Sequence, residues 1–409
     1  MNEETIELLT ERLVNRINKA NEFFLIKIGE SVKKIRGLTP TQAHQLVQIL
    51  KYGGNYEEIV NEISRLTNLN IQDIDAIFNE MAKKNYAFAE QFYKYRGVEY
   101  VPYSENKALL RQVNALASIT KQEMYNYART TNLGYSIRDL QGNVKFVGLR
   151  ETYNRVLDEA VLNVGTGVDT FDNAMSKIMK DIGGNGLKTV DYASGRSVRL
   201  DSVARMHLKG ALRTLHNEIQ KQVGEEFDFD GYEISVHSNP APDHLMQGRQ
   251  FSIEEFNKLQ SGLDAKDYTG KTFTLDHDHK NGFRPISTMN CYHKVFSIVL
   301  GVSKPEYSEE QLQKIIDDND KGAIIDGKHY TNYEITQLQR SCERRIREQK
   351  DIQILAKESG NKELIKESQA RITQLTNKYK EISKISGLPT RMDRLKVAKY
   401  RRISAKKLQ

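Results

Sequence analysis

The sequence is short of the residues that stabilise secreted and β-rich proteins. Its 409 residues include 7 prolines, 2 cysteines and no tryptophan. Two cysteines far apart in sequence, Cys291 and Cys342, do not suggest a disulfide framework, so we expect reduced thiols and a cytosol-like compartment. An apolar fraction of 38% favours a helix-rich protein with a polar surface over a large compact β fold.

Long apolar runs are also missing. No run approaches the roughly 18 to 20 apolar residues that are needed to span a bilayer. The first residues, Met1 to Glu4, are acidic and polar, so we expect no secretory signal there. At roughly 100 to 200 residues per domain, the chain has room for two or three domains.

Positive charge is concentrated at the end of the sequence. The segment 391–409 carries one acid, Asp393, and eight basic residues: Arg391, Arg394, Lys396, Lys399, Arg401, Arg402, Lys406 and Lys407. Eight minus one gives +7, which equals the net charge of the whole chain, so residues 1–390 balance. This pattern predicts a basic tail that binds phosphates or an acidic protein surface, or else a solvated terminus.

The apolar pattern predicts an α+β protein that is predominantly helical. We expect a helical N-terminal module over residues 1–135, a central α+β domain over 136–305, a long helical hairpin over 306–390 and the basic tail over 391–409. Apolar residues at three- and four-residue steps predict a helix over 5–35, and the capping box Thr39 to Gln42 starts the next one. Further helices are predicted over 56–66, 71–95, 104–131, 149–181 and 203–225.

Strands are predicted in the central part of the chain. Alternating residues at 188–192 and 197–200 predict a hairpin, and a strand is expected from Tyr232 to His237. Capping boxes at Ser252 and Ser308 predict the starts of two later helices, and Gly360-Asn361 separates the two arms of the C-terminal hairpin.

Histidine and cysteine residues are concentrated in two short stretches, His237 to Arg249 and Asn290 to His293. His237, His244, Cys291 and His293 have the donor types of a zinc site, but a Cys-x-His pair is cramped for tetrahedral coordination. Cys291 as a nucleophile with a histidine base lacks an identifiable orienting partner. The favoured interpretation is a polar scaffold of paired loops, made by His237, Asp243, His244, Gln247, Gly248, Asn290, Cys291 and His293.

The stretch Asp276-His277-Asp278-His279, followed by Gly282, resembles the core of the endonuclease VII-like HNH nucleases. Such an enzyme uses a histidine to activate water beside a divalent metal. That family also binds a structural zinc with four cysteines, whereas only Cys291 lies nearby here. A metal-dependent nuclease that uses the Asp276–His279 region is therefore the alternative function.

A longer resemblance covers about 200 residues. It begins with Gly186 to Leu200 and Arg205, and continues through Ile234 to His237, Pro242-Asp243-His244, Gln247-Gly248, Asn290 to His293 and Gly301 to Ser303. A charged helical hairpin from Gln339 and the Ser386-Gly387-Leu388 stop follow in the same order. In order and spacing the chain resembles the phage minor capsid protein 2 family, relatives of the Mu F-like, portal-associated head proteins.

The resemblance implies a structural virion protein without enzyme activity or cofactor. It implies a place at the portal vertex of a tailed phage head, several copies per virion, and a role in head assembly, DNA packaging or genome delivery. The implied partners are the portal protein, the major capsid protein and, through the basic tail, packaged double-stranded DNA. Assembly would take place in the host cytoplasm, with no membrane segment.

Two departures from the family pattern bear on the site. Asn239 to Asp243 replaces the usual Gly-Ala-Arg-Pro-Ser-His, and Met246 stands where a tryptophan is usual. Such losses cost little if the stretch is a scaffold, and they disfavour a catalytic role.

Overall fold

The computed structural model describes residues 3–139, 141–166, 168–191, 195–242, 245–274, 285–288, 291 and 293–402. Over these residues the protein is predominantly helical α+β, as predicted. The helices are α1 (Glu3–Ile35), α2 (Pro40–Tyr52), α3 (Asn55–Tyr86), α4 (Glu90–Arg96), α5 (Lys107–Ala128), α6 (Leu149–Leu162), α7 (Val168–Asn185), α8 (Leu200–Glu226), α9 (Ile253–Gln260), α10 (Glu309–Lys321), α11 (Asn332–Ser359) and α12 (Lys362–Ser386).

The strands are short and form small antiparallel sheets. They are β1 (Leu133–Arg138), β2 (Val144–Gly148), β3 (Lys188–Val190), β4 (Ser197–Arg199), β5 (Gly231–Ile234), β6 (Gln250–Ser252), β7 (Ala265–Lys266), β8 (Thr272–Phe273), β9 (Val295–Ile298), β10 (Ala323–Ile325) and β11 (Lys328–Tyr330). The sheet orders are β2-β1-β3-β4, β6-β5-β9, β7-β8 and β10-β11. The predicted β3–β4 hairpin is confirmed, with Thr189 opposite Val198.

Local capping chemistry sets several helix starts where the sequence predicts them. The Thr39 hydroxyl accepts the Gln42 backbone N–H at 3.3 Å, and the Gln42 side chain accepts the Thr39 N–H at 3.0 Å. Ser308 and Gln311 form the same reciprocal pair before α10. Ser252 accepts the Glu255 N–H at 3.2 Å, which starts α9. These contacts span only three residues, so they can be predicted without knowledge of the tertiary structure.

Three helix predictions are wrong. The expected break between 66 and 71 is absent because Asn70 donates its side-chain N–H to the Leu13 carbonyl at 3.1 Å, inside a continuous α3. The expected helix 149–181 is two helices, because the Asn163 side chain binds the Glu159 carbonyl at 2.8 Å and ends α6. The helix expected to end at 181 continues to Asn185, and within it Gly183 approaches Ile352 too closely for a side chain.

Two strand features also differ from expectation. The strand expected to reach His237 ends at Ile234, so the residues that follow are loop. The β10–β11 hairpin was not predicted, although Asp326-Gly327 is a recognised hairpin turn pair. Both residues have positive φ, +50° and +78°, as a two-residue type I′ turn requires.

The chain divides into two compact units, each assembled from three stretches of sequence. Unit 1 contains residues 1–10, 73–121 and 205–337, and unit 2 contains residues 11–72, 122–204 and 338–409. The β6-β5-β9 sheet belongs to unit 1, and the α11–α12 hairpin lies mainly in unit 2. The division of the sequence at about residues 135, 305 and 390 stays a prediction.

Two further findings concern the whole of the described chain. Both cysteines, Cys291 and Cys342, are buried and are not joined in a disulfide. Among the helices that are described, none combines the length and the apolar character needed to cross a membrane.

Candidate functional site

The sheet β6-β5-β9 brings the two histidine-containing loops together in unit 1. At the end of β5, Ile234 lies opposite Val295, the first residue of β9. Beyond this pair, the Ser235 N–H donates to the Lys294 carbonyl at 2.9 Å, and the Ile234 N–H donates to the Arg249 carbonyl at 3.1 Å. Antiparallel pairing therefore places the loop after β5, the segment before β6 and the segment before β9 at one edge of the sheet.

Gln247 fastens the first of these loops. Its side-chain Oε1 accepts the His237 backbone N–H at 2.8 Å, and its Nε2 donates to the His237 carbonyl at 3.1 Å. The side chain thus satisfies both main-chain groups of a residue that has left the strand. Because one contact needs an acceptor and the other a donor, the orientation of the Gln247 amide is fixed.

The Gln247 amide also sets the tautomer of His293. His293 Nε2 lies 3.2 Å from Gln247 Oε1, an atom that can only accept, so Nε2 carries the proton. In the neutral ring Nδ1 is then an acceptor, and it lies 3.5 Å from Cys291 Sγ. The Ser287 N–H donates to the same sulfur at 3.2 Å, and the Ser287 hydroxyl donates to the His293 carbonyl at 2.6 Å.

This arrangement gives Cys291 a base, His293, and gives that base an orienting group, Gln247, which sequence reasoning did not identify. The sequence did contain a clue to this role, since Gln247 lies in the histidine-containing stretch His237 to Arg249. The thiol is only 2% exposed, however, and Cys291 belongs to the apolar core with Ile234, Met246 and Phe251. A buried thiol that is hydrogen-bonded in this way holds the two loops together.

Gly248 completes the fastening of the first loop. Its φ is +72°, and a Cβ at this position would lie 2.4 Å from a Leu312 methyl carbon and 2.9 Å from one of Val236. Both the backbone conformation and the space therefore require glycine. The Gln247-Gly248 pair is explained by packing and hydrogen bonding alone.

Arg249 is a further anchor to which the sequence assigned no role. It is 7% exposed, and its guanidinium donates to Glu309 at 2.7 Å and lies 3.5 Å from an Asp267 oxygen. Asp267 also accepts the N–H groups of Thr269 and Lys271, both at 2.9 Å. Arg249 therefore ties the start of β6 to the β7–β8 turn and to α10.

Three of the four predicted zinc ligands, His237, Cys291 and His293, fall within the described residues. Ring centroids of His237 and His293 lie 4.5 Å apart, so these two predicted ligands do meet. Over the described ranges, no group of three or more His, Cys, Asp or Glu side chains is placed to hold a metal ion. Asp243, His244, Asn290 and the Asp276–His279 region lie outside the described residues.

The basic segment of unit 2 is docked on the helices over its described part, 391–402. The Arg391 N–H donates to the Tyr379 hydroxyl at 2.7 Å, and Leu395 is buried. The carbonyls of Arg394 and Leu395 accept from Arg347 at 2.9 Å and from Lys350 at 2.6 Å. Residues 391–402 are therefore held against the helices of unit 2, which a solvated terminus would not be.

A buried carboxylate on α1 holds the following residues. Glu22 Oε1 accepts the Ala398 N–H at 2.8 Å, and its Oε2 accepts the Lys399 N–H at 2.9 Å. Burial raises the pKa of Glu22, and the two backbone hydrogen bonds act in the opposite direction. Two successive amides are thus fixed by the two oxygens of one side chain.

Asp351 on α11 is buried in the same part of unit 2. Its Oδ2 accepts from the Asn21 side chain at 3.2 Å and lies 3.9 Å from the Arg199 guanidinium. Asn21 in turn accepts from the Tyr135 hydroxyl and from the Leu187 N–H, both at 3.0 Å. Burial raises the pKa of Asp351 to about 7, with Arg199 opposing this shift and Glu22 adding to it.

The predicted basic residues fall into three groups. Arg391 pairs with Asp393 at 3.3 Å, and Arg394 lies 4.0 Å from a Glu343 oxygen. Exposed cations remain at Lys396, Lys399, Arg401 and Arg402. Lys406 and Lys407 lie outside the described residues.

Comparison with known proteins then identifies the class. The family model described as phage minor capsid protein 2 matches residues 1–382. The chain therefore belongs to the phage minor capsid protein 2 family, and it is a structural protein of the phage head, located in the virion. No curated protein and no solved structure matches it. The docked basic segment lies beyond the matched range.

Proposed function

We propose that this minor capsid protein binds at or near the portal vertex of a tailed phage head and acts in head assembly, DNA packaging or genome delivery. Its protein partners on this proposal are the portal protein, the major capsid protein or both. The helical N-terminal module and the central α+β domain provide the docking surfaces. Membership of the family supports a place in the phage head and implies contacts with other virion proteins.

The basic segment is proposed to contact packaged double-stranded DNA. The observation that carries this proposal is the set of four exposed cations, Lys396, Lys399, Arg401 and Arg402, in a chain whose residues 1–390 balance in charge. Lysine and arginine bind DNA by neutralising phosphates, which gives affinity without sequence preference and strong salt dependence.

The paired loops of unit 1 are proposed to be a scaffold. Gln247, His293 and Cys291 satisfy one another in a buried network, and Gly248 is required by packing. Such a network fixes the shape of the surface around it, which suits a protein whose task is to dock against others.

The first test is whether the protein purifies with phage heads and portal, and in how many copies per head. We expect it in heads that contain portal. Its presence in equal amount in particles lacking the portal would contradict the portal assignment.

The second test measures the salt dependence of binding to plain double-stranded DNA. Replacing Lys396, Lys399, Arg401 and Arg402 by glutamine should lower the slope of log affinity against log salt by about 3 to 4, since each neutralised phosphate contributes about 0.9. A control variant removes four exposed lysines of unit 1, Lys304, Lys314, Lys321 and Lys328. Equal slopes for the two variants would contradict a specific role for the segment.

A further inference from the structure

The C-terminal segment is anchored through its backbone, and the side chains of Lys396 and Lys399 are left exposed to solvent. Glu22, Arg347 and Lys350 all bind main-chain atoms of residues 394–399, at distances between 2.6 and 2.9 Å. The one deeply buried side chain in this stretch is apolar Leu395, which is 3% exposed. Lys396 lies between the anchored residues and Lys399 is anchored through its own N–H, and the side chains of both are exposed.

Binding through charge alone would not require the backbone of the segment to be anchored. A free polycation neutralises phosphates wherever it meets them, and it needs no bonds to its backbone. A segment whose backbone is fixed has already lost much of its conformational freedom before a ligand arrives. Its side chains then extend from fixed positions, and less conformational entropy is lost when a ligand binds.

We propose that residues 394–402, fixed by Glu22, form a rigid basic ledge that binds the phosphate backbone of double-stranded DNA. Glu22 acts as a positioning residue, since its carboxylate holds the backbone and does not touch DNA. The inference rests on the proposed DNA contact of the segment. It adds that the docked conformation, and not the charge of a loose tail, determines the affinity.

The ledge and the loose tail predict opposite signs for one substitution. Glu22→Gln removes a negative charge, so a loose basic tail should bind DNA slightly more tightly. In the ledge, a glutamine offers one acceptor where two N–H groups, those of Ala398 and Lys399, need one each. Its amide nitrogen faces the second N–H, the segment loosens, and we expect DNA affinity to fall about tenfold.

Two variants accompany it. Glu381→Gln removes an exposed acid of α12 in the same unit and should leave DNA affinity unchanged or slightly raised. Leu395→Ala changes no charge but removes the apolar anchor, so it should weaken DNA binding in the same direction as Glu22→Gln. Circular dichroism of each variant checks that the helices remain folded, and Leu395→Ala keeps the comparison valid if Glu22→Gln does not fold.

Hydrogen exchange of the full-length chain reports the docking directly. In the wild-type protein the amides of Ala398 and Lys399 should exchange slowly, and in Glu22→Gln they should exchange at the rate of unstructured chain. Fast exchange in the wild type overturns the ledge.

The DNA measurement separates this inference from the function on which it rests. Wild-type binding with weaker binding of Glu22→Gln and Leu395→Ala supports the ledge. Wild-type binding that is equal or tighter in both variants refutes the ledge while leaving the DNA contact intact. Absence of binding by the wild type refutes the DNA contact, and the ledge with it.

Discussion

Replacing the buried Asp351 by asparagine should change how the stability of the protein depends on pH. The ordinary pKa of an aspartate is 3.8, and in the folded protein burial raises that of Asp351 to about 7. Between these two values the folded protein holds a proton that the unfolded chain has released. Stability from this group is therefore greatest below about pH 4 and declines as the pH rises to 7.

The size of the effect follows from the shift. One pKa unit corresponds to about 1.4 kcal/mol, so ionising Asp351 in place costs about 4 kcal/mol across the whole range. Asparagine resembles the protonated carboxyl and still accepts the bond from Asn21. The free energy of unfolding of Asp351→Asn should therefore gain about 3 kcal/mol relative to wild type between pH 5 and pH 8.

Urea unfolding of both proteins at pH 5, 6, 7 and 8 measures this difference. Titrating groups that do not interact with Asp351, such as His216, whose pKa burial lowers to about 3, are present in both proteins and cancel. Asp158→Asn, which removes an exposed acid of unit 2, serves as the control and should differ from wild type by less than about 1 kcal/mol at each pH. A difference between Asp351→Asn and wild type that stays constant with pH would refute the reasoning.

The paired loops of unit 1 give two further predictions. Gly248→Ala should lower the free energy of unfolding by about 3 kcal/mol or more, because it combines a positive φ with a clash against Leu312. The control Gly270→Ala, at φ +90° with open space around it, should lower it by only about 1 kcal/mol. Equal losses in the two variants would contradict the packing argument. Gln247→Leu should cost about 3 kcal/mol by removing the hydrogen bonds of Gln247 to the half-buried main chain of His237 and to the buried ring of His293. Ring ¹⁵N shifts of His293 should show its Nε2–H tautomer in the wild type and lose that preference in the variant. An unchanged tautomer in Gln247→Leu would show that Gln247 does not set it.

What could be predicted from sequence was set by how far apart the interacting residues lie. The capping boxes at Thr39 and Ser308 involve neighbours three residues apart, and both helix starts are where the pattern places them. The predicted helix end at 181 is wrong because α7 continues through Gly183, whose close contact is with Ile352, a residue far along the chain. A close tertiary contact thus outweighed the low helix propensity of glycine.

The candidate sites follow the same rule. The histidine and cysteine positions were visible in the sequence, but the tautomer of His293 depends on an amide orientation that only the fold defines. Composition identified the cations of the C-terminal segment. It could not reveal their anchoring, because Glu22 lies 376 residues before Ala398 and has no distinguishing feature in a charged helix.

The interleaved make-up of the two units has a consequence for synthesis. Unit 2 includes residues 11–72 but also residues 338–409, and unit 1 includes residues 73–121 but also 205–337. The early helices therefore leave the ribosome long before the segments that complete their core, and they expose apolar faces in the interval. Loop closure over such separations is slow. The helices of unit 2 that are made first therefore lack part of their core until residues 338–409 have been synthesised.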